Sequence, residues 1–246
     1  MEVSKKIVFI KDWILNYVNS MPVKAQSLVI GISGGIDSSV TSSLSAMTGL
    51  KTIVVSMPIK QIASQHDLSL KHKKWLKDKF KNVESHTIEL DEVFKLFQLK
   101  LSDFGSEHGL ANSRARIRMT TLYQIASANK GIVVGTGNKV EDFGVGFYTK
   151  YGDGGVDISP LADCTKTQVW EMGEKLGILE DIVKADPTDG LWEDGRADVS
   201  QLGMSYQDLE KAMIDSNNPG HKKYLEIRKK NLHKMNPIPV CKMKND

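Results

Sequence analysis

Apolar positions along the chain recur with two periods, and the alternation between them lays out the fold. Within residues 5–19, Ile10, Trp13, Ile14 and Tyr17 fall at helical spacing, and Pro22 closes the segment. Leu28 to Ile32 is an apolar run that breaks into Ser33-Gly34-Gly35 and reopens as a helix through Met47. Thr52 to Pro58 reads as a second buried strand. Residues 64–80 read as a helix with Leu68, Trp75, Leu76 and Phe80 inward and a lysine-rich outer face. Val83 to Leu90 alternates as a strand does. Leu90, Val93, Phe97, Leu101 and Phe104 then repeat at spacings near 3.6, which predicts one buried helical face. Gly105 and Gly109 mark a loop before a helical stretch at Asn112–Met119, and Ile132 to Asn138 is another buried strand. A helix runs from Thr165 through Leu176, with Val169, Met172 and Leu176 inward, and a basic helix runs from Gly220 to Lys234. Strand–helix alternation of this kind predicts an α/β fold with a doubly wound parallel sheet, in one domain spanning 1–246. Ligands in such sheets bind at the C-terminal strand ends, where strand order reverses.

The first strand and its turn carry the sharpest chemical signal. Gly31-Ile32-Ser33-Gly34-Gly35-Ile36-Asp37-Ser38 sits between a strand and a helix. Glycines there let the backbone approach an anion with successive N–H groups, and the helix start adds a favourable dipole. The string lacks the Gly-Lys-Ser/Thr ending of a Walker A loop, which disfavours ordinary P-loop chemistry. Asp37, beside the phosphate nest, could hold Mg²⁺, an ion that takes carboxylate and phosphate oxygens together. If the Ile132 strand lies next to the Leu28 strand across the reversal, Glu141 joins Asp37 on one crevice. Either acid alone also fits a helix-start carboxylate; as a pair they favour the metal.

Other candidates carry plainer alternatives. Met57, at the end of the second strand, is placed to meet an adenine, although a methionine there also serves a core. Arg114 and Arg118 would share one helical face and Arg116 another, so the three cannot serve one ligand. Phe143 to Asp157 is glycine-rich and aromatic, an ordered binding loop with Lys150 as its cation and Asp157 as its acceptor, or else a structural hairpin. Lys166 at a helix N-terminus is electrostatically misplaced unless an anion sits there, which points to phosphate. Asp186 to Gly203 is polar and acidic, either disordered or a lid.

Composition narrows the classes. The 246 residues are 40% hydrophobic, enough for a packed core, and a net charge of +3 makes no demand for nucleic acid. Cys164 and Cys241 form no CxxC pair, and the six histidines make no zinc spacing. The N-terminal apolar run is too short to span a membrane and shows no cleavage site, so a soluble, cytoplasmic protein is expected.

With these residues in view, the chain resembles the ammonia-dependent NAD synthetases of the ATP pyrophosphatase group. The SGGIDSS string matches that group's SGGxDS signature. Phe147-Tyr148-Thr149-Lys150-Tyr151-Gly152-Asp153-Gly154-Gly155, Asp157-Ile158 and Pro160-Leu161 match the family more narrowly, as do Ala115-Arg116-Ile117-Arg118-Met119 and the KADPTDGLW stretch. The resemblance implies a Rossmann-like fold of the adenine-nucleotide alpha-hydrolase type. It implies attack of the nicotinate carboxylate of deamido-NAD⁺ on ATP to give an acyl-adenylate and pyrophosphate, then attack by ammonia to give NAD⁺ and AMP.

By the same resemblance, Gly31, Ile32, Ser33, Gly34, Gly35, Ile36, Asp37 and Ser38 bind ATP phosphates, and Asp37 and Glu141 hold Mg²⁺. Met57, Arg116, Thr136, Lys166 and Thr188 complete the ATP contacts, with Arg114 and Arg118 mainly structural. Arg116, Lys150, Asp157, His233 and Lys234 contact deamido-NAD⁺. Asp37 and Lys166 act by stabilising charge, with no protein nucleophile, and the family's dinucleotide site lies at a homodimer interface. Gly137-Asn138 stands where many bacterial members have Asp-His, and one extra residue separates Glu141 from Phe147, which bears on the geometry at Glu141. The sheet starts near residue 28, leaving no room for a glutamine amidase domain, so free ammonia is the expected nitrogen source. Two other readings are another adenylating ligase of the group, directed at tRNA or forming GMP, and an ATP-binding sensor without turnover.

Overall fold

The computed structural model describes residues 1–60, 63–187 and 198–243. Four parallel strands form the sheet: β1 (Ser27–Gly31), β2 (Lys51–Ser56), β3 (Val83–Thr87) and β4 (Gly131–Val133), in the order β3-β2-β1-β4. Leu28 pairs with Thr52 on one side and with Ile132 on the other. The chain builds outward from β1 to β3 and then returns to β1's free edge as β4. The reversal therefore falls between β1 and β4, which meets the condition for Glu141 to share a crevice with Asp37. Beyond β4 a single parallel bridge joins Val134 to Ile158.

Side-chain alternation along the strands feeds two apolar layers. Leu28, Ile30, Val54 and Ile132 face α1 (Val3–Ser20), α2 (Ile36–Met47) and α6 (Lys166–Leu176). Val29, Ile53, Val55 and Val133 face α4 (Asp91–Lys100) and α5 (Glu107–Ala128), with Phe94, Met119 and Leu122 as their main partners. A third cluster joins Val140 and Val145 to Leu209 of α9 (Tyr206–Ile214) and Tyr224 of α10 (His221–Met235). The chain also forms α3 (Ala63–Lys79), α7 (Glu180–Val183) and α8 (Asp198–Leu202). Among the described residues no helix is long and apolar enough to cross a membrane.

Helix α2 is rich in serine yet buried, because its hydroxyls return to carbonyls one turn back: Ser43 to Ser39 O at 2.7 Å and Ser45 to Thr41 O at 2.8 Å. It lies close against α6. A Cβ on Gly173 would stand 2.5 Å from Ile36 Cδ1, so a larger residue there would force the Ile36 side chain to move. This contact brings the first turn of α6 to the start of α2, where the candidate site lies.

Two helical faces differ from expectation. On α1 the buried stripe is Ile7, Ile10, Ile14 and Val18, while Trp13 and Tyr17 stack on each other at the surface. On α4 the buried anchors are Leu90 and Phe94, and Val93, Leu101 and Phe104 are exposed. The 3.6 period is real, but α4 ends at Lys100 and touches the sheet along one short line only. Strands β3 and β4 are also shorter than their apolar runs, ending at Thr87 and Val133.

His72 of α3 is fully buried, stacked on Trp75, with Nε2 2.9 Å from Ser42 Oγ. Burial pushes its pKa down to about 4. The folded state therefore keeps a neutral ring where the unfolded chain, titrating near 6.5, takes a proton. This contribution is present above about pH 6.5 and is lost as pH falls toward 4, up to about 3 kcal/mol. In urea unfolding, His72→Gln should lose correspondingly less stability than wild type between pH 7 and pH 4.5. Parallel pH profiles for the two proteins would contradict this.

Candidate active site

At the reversal between β1 and β4, the end of β1 turns into α2 through Ser33-Gly34-Gly35. Gly34 adopts φ +96°, a left-handed conformation that suits glycine. Ser33 Oγ accepts from Gly35 N at 3.1 Å and lies 3.2 Å from Ser38 Oγ, so the loop is braced from within. No side chain caps α2 at Gly35, which leaves its dipole end facing an open crevice. Gly31, Ile32, Ser33, Ile36, Asp37 and Ser38 line that crevice on one side, and Gly135, Thr136 and Gly137 line the β4 side.

Three charged side chains meet there. Lys166 Nζ donates to Asp37 Oδ2 at 2.5 Å and to Glu141 Oε1 at 2.9 Å. Asn138 Nδ2 donates to Asp37 Oδ1 at 3.0 Å, and Tyr206 OH donates to Glu141 Oε1 at 2.5 Å. The lysine side chain is 3% exposed and the two acids 17% and 15%, so these charges interact in a poorly screened setting. Burial, reinforced by the charge of Glu141, lifts Asp37 above the usual carboxylate value against the pull of Lys166. For Glu141, burial is outweighed by Lys166 and the Tyr206 hydrogen bond, and its pKa falls. Burial alone would depress Lys166, but the two carboxylates overcome it and keep the ammonium charged.

Each member arrives from a different element. Asp37 stands in the first turn of α2, and Lys166 opens α6, whose Thr165–Gln168 capping box fixes its start. The anion that justifies a lysine at that helix start is thus the chain's own carboxylate pair. Glu141 belongs to a π-helix over Lys139–Val145, a form that recurs at functional sites. Asn138 caps this helix, accepting from Val140 N at 3.0 Å and Glu141 N at 3.1 Å while it orients Asp37. The segment carrying the extra residue is therefore ordered, with Glu141 on the crevice.

Two carboxylates beside a phosphate loop are a fitting oxygen donor set for Mg²⁺ held jointly with a polyphosphate. Among the described residues no group of three or more His, Cys, Asp or Glu gathers as a metal site in its own right. The protein donors suit a metal that arrives with its nucleotide.

Met57 and Thr136 line the crevice. The arginines divide differently. Arg118 lies on the crevice wall, with Nε donating to Met57 O at 3.0 Å. Arg116 is not on that wall; its Nε donates to Lys150 O at 3.2 Å. Arg114 is buried with its guanidinium 4.9 Å from the centre of the Phe94 ring.

The residues tied by resemblance to the dinucleotide stand off the crevice. Lys150 Nζ lies 5.4 Å from the centre of the Tyr151 ring. Asp157 accepts from Val133 N at 2.7 Å and from Tyr123 OH at 3.1 Å, which fastens its loop to the end of β4. Lys234 Nζ donates to Tyr148 O at 2.6 Å, and His233 is exposed on α10. Thr188 and most of the 186–203 stretch lie outside the described residues, although Ala185 and Pro187 reach the crevice wall.

Sequence reasoning missed four members of the site. Tyr206 and Asn138 hold the two acids, and Asp142 and Asp153 line the crevice. Burial, with the charges of Asp153, Glu141 and Asp37, holds the Asp142 carboxyl well above the usual range. The adjacent acids Glu141-Asp142 are visible in the sequence. What they share, a π-turn that leaves both on one wall, is not.

A family model described as NAD synthase matches residues 6–245. The chain belongs to the NAD synthase family. Similar members include an NH(3)-dependent NAD(+) synthetase of Alkaliphilus metalliredigens, 35% identical over 223 residues, covering 85% of this chain and 86% of that one. The same enzyme of Mesoplasma florum is 38% identical over 205 residues, covering 81% of each chain. Among solved structures, NMN synthetase from Francisella tularensis superposes with a TM-score of 0.89 at 28% identity, covering 99% of this chain and all of that one. The NH3-dependent NAD synthetase of Campylobacter jejuni shares the fold, with a TM-score of 0.77 at 23% identity over 98% of this chain and all of that one. As a member of the NAD synthase family the chain is an enzyme, and the α/β parallel sheet read from the sequence is the family's own.

Proposed function

We propose that the chain is an ammonia-dependent NAD⁺ synthetase that converts deamido-NAD⁺, ATP and ammonia into NAD⁺, AMP and pyrophosphate. The observation that carries this reading is the Asp37–Lys166–Glu141 cluster set against an uncapped helix start at the strand reversal. The loop from Gly31 to Ser38 receives the ATP phosphates, and Met57, Arg118 and Thr136 line the nucleotide's side of the crevice. Arg116 and Thr188 are further candidates for that nucleotide. Asp37 and Glu141 hold Mg²⁺, which would supply charge neutralisation on the polyphosphate. The nicotinate carboxylate attacks the α-phosphorus; a C–O–P linkage forms and pyrophosphate departs with the electron pair of the broken bond. Ammonia then adds to the acyl carbon, a C–N bond forms, AMP departs and a proton is released. Lys166 stabilises the charge that develops on phosphate, and positioning with charge stabilisation performs the chemistry without a protein nucleophile.

Lys150, Asp157, His233 and Lys234 of this chain are proposed for the dinucleotide at a homodimer interface. The outward apolar face of α4, with Val93, Leu96 and Leu99 exposed beside Phe104, supports a partner surface. Free ammonia as nitrogen source is supported by the names of the relatives. Residues 6–245 are proposed to act as one synthetase domain, and the proposed location is the cytoplasm.

The likeness to NMN synthetase favours a second reading, the same chemistry on the acid of the mononucleotide. The test offers each acid in turn with ATP, Mg²⁺ and ammonium, and measures AMP and the amide product together. Equal AMP and NAD⁺ from deamido-NAD⁺, with glutamine inert as donor, is the expected result. Turnover only of the mononucleotide acid would establish the second reading, and ATP binding without AMP from either acid would leave a sensor.

A further inference from the structure

The roles assigned to phosphate and metal leave two crevice carboxyls unused, Asp142 and Asp153, and Asp153 Oδ1 already accepts from Thr149 N at 3.0 Å. Asp142 follows Glu141 in the π-helix and lines the crevice. Asp37 and Glu141 each accept hydrogen bonds from two side chains, whereas no hydrogen bond to the Asp142 carboxyl is formed among the described residues. Its place depends on Gly137. A Cβ there would stand 2.0 Å from Asp142 Oδ2 and 2.3 Å from the carboxyl carbon, so any side chain at 137 expels this carboxyl from where it sits. Asp153 lines the same crevice, and Phe147 and Val156 supply apolar wall.

We propose that Asp142 binds the ammonium co-substrate, and that Gly137 is the gap that admits its carboxyl to the crevice. The inference rests on the synthetase reading. Its basis is chemical complementarity. ATP and the dinucleotide bring phosphates, which the acids of this wall repel. Ammonium is small and cationic, and its N–H groups need acceptors with unengaged lone pairs. Among the described residues that line the crevice, Asp142 is the acid that accepts no hydrogen bond from the protein, and an ammonium seated beside it would offset the burial and the neighbouring acids that raise its pKa. The extra residue between Glu141 and Phe147 and the glycine at 137 are thus two halves of one arrangement: the glycine opens the space and the π-helix turns an acid into it.

The test is steady-state kinetics at fixed pH on wild type, Asp142→Ala, Asp142→Asn and the double variant Gly137→Ala/Asp142→Ala. Removing a charge-assisted hydrogen bond should raise KM for ammonium about ten- to a hundredfold in both Asp142 variants. The KM values for ATP and the acid substrate should stay within about twofold of wild type, since the carboxylate serves ammonium alone. The double variant should match Asp142→Ala, because alanine at 137 then meets no carboxyl. Gly137→Ala alone should melt below the double variant, a readout independent of activity. An unchanged ammonium KM in a wild-type-like Asp142→Asn overturns the proposal, as does a rise confined to the acid substrate, whose pyridinium is the other cation available. A wild-type protein that forms no amide with ammonium would instead overturn the synthetase reading itself.

Discussion

Lys166→Met should lower folding stability by about 3–5 kcal/mol, the usual cost of stranding a buried ion-pair partner. The variant keeps Asp37 and Glu141 where they are, each more than four-fifths covered, but removes the one cation among the described residues that pairs with both. Asn138 and Tyr206 continue to donate to them, yet neither supplies charge. Two neighbouring carboxylates in such a setting cannot both stay ionised cheaply, and one takes up a proton. Its folded pKa then exceeds its unfolded value, so the variant's stability is retained at low pH and lost as pH rises. The gap to wild type in urea unfolding should therefore be wider at pH 8 than at pH 5. A midpoint equal to wild type at pH 8 would mean that the lysine does not compensate these charges.

The second large effect is on turnover. Asp37→Asn should reduce kcat/KM for ATP by about 10²–10³-fold, the range seen when one preorganised electrostatic group is removed at a reacting centre. Asparagine preserves the shape of the side chain and leaves Lys166 its contact with Glu141, so the fold should survive. What it removes is half of the carboxylate pair that suits Mg²⁺. Thermal melting within a few degrees of wild type, together with near-absent AMP formation, is the expected combination. AMP formation near the wild-type rate would remove Asp37 from the proposed chemistry.

The stretch from β1 through α2 is legible in the sequence because everything that shapes it is local. The apolar run, the glycines and the polar helix start lie within twenty residues. Glu141 reaches the crevice in a sequence reading through strand order alone, and the observed order β3-β2-β1-β4 supplies it. Long-range partners are another matter. Lys166 reaches Asp37 across 129 residues and Tyr206 reaches Glu141 across 65, and no periodicity encodes such meetings. An unsatisfied helix-start charge singles out Lys166 and points to phosphate, whereas the anions that meet it in the fold are Asp37 and Glu141. The buried side of α4 escapes the sequence because the choice between two apolar lines on one short helix is made by the sheet beneath it. Helical geometry separates Arg118 from Arg116, but does not say which of the two faces the crevice. Asp142 is invisible for a sharper reason: only a π-turn and a missing side chain at 137 bring it there.

The crevice wall that carries Glu141 does not support itself. Arg228 holds the carbonyls of Phe143 and Gly144, and Asn231 holds that of Val145. Tyr148 and Lys234 exchange hydrogen bonds at 2.7 Å and 2.6 Å. All of these anchors sit on α10, more than eighty residues downstream of what they hold. The sheet, by contrast, closes its cores without them. Fraying of α10 is thus a sub-global opening in which the chain would keep its folded centre and lose one side of its crevice. Activity is therefore expected to be lost before the sheet unfolds, because the α10 contacts can open while the two sheet cores stay closed.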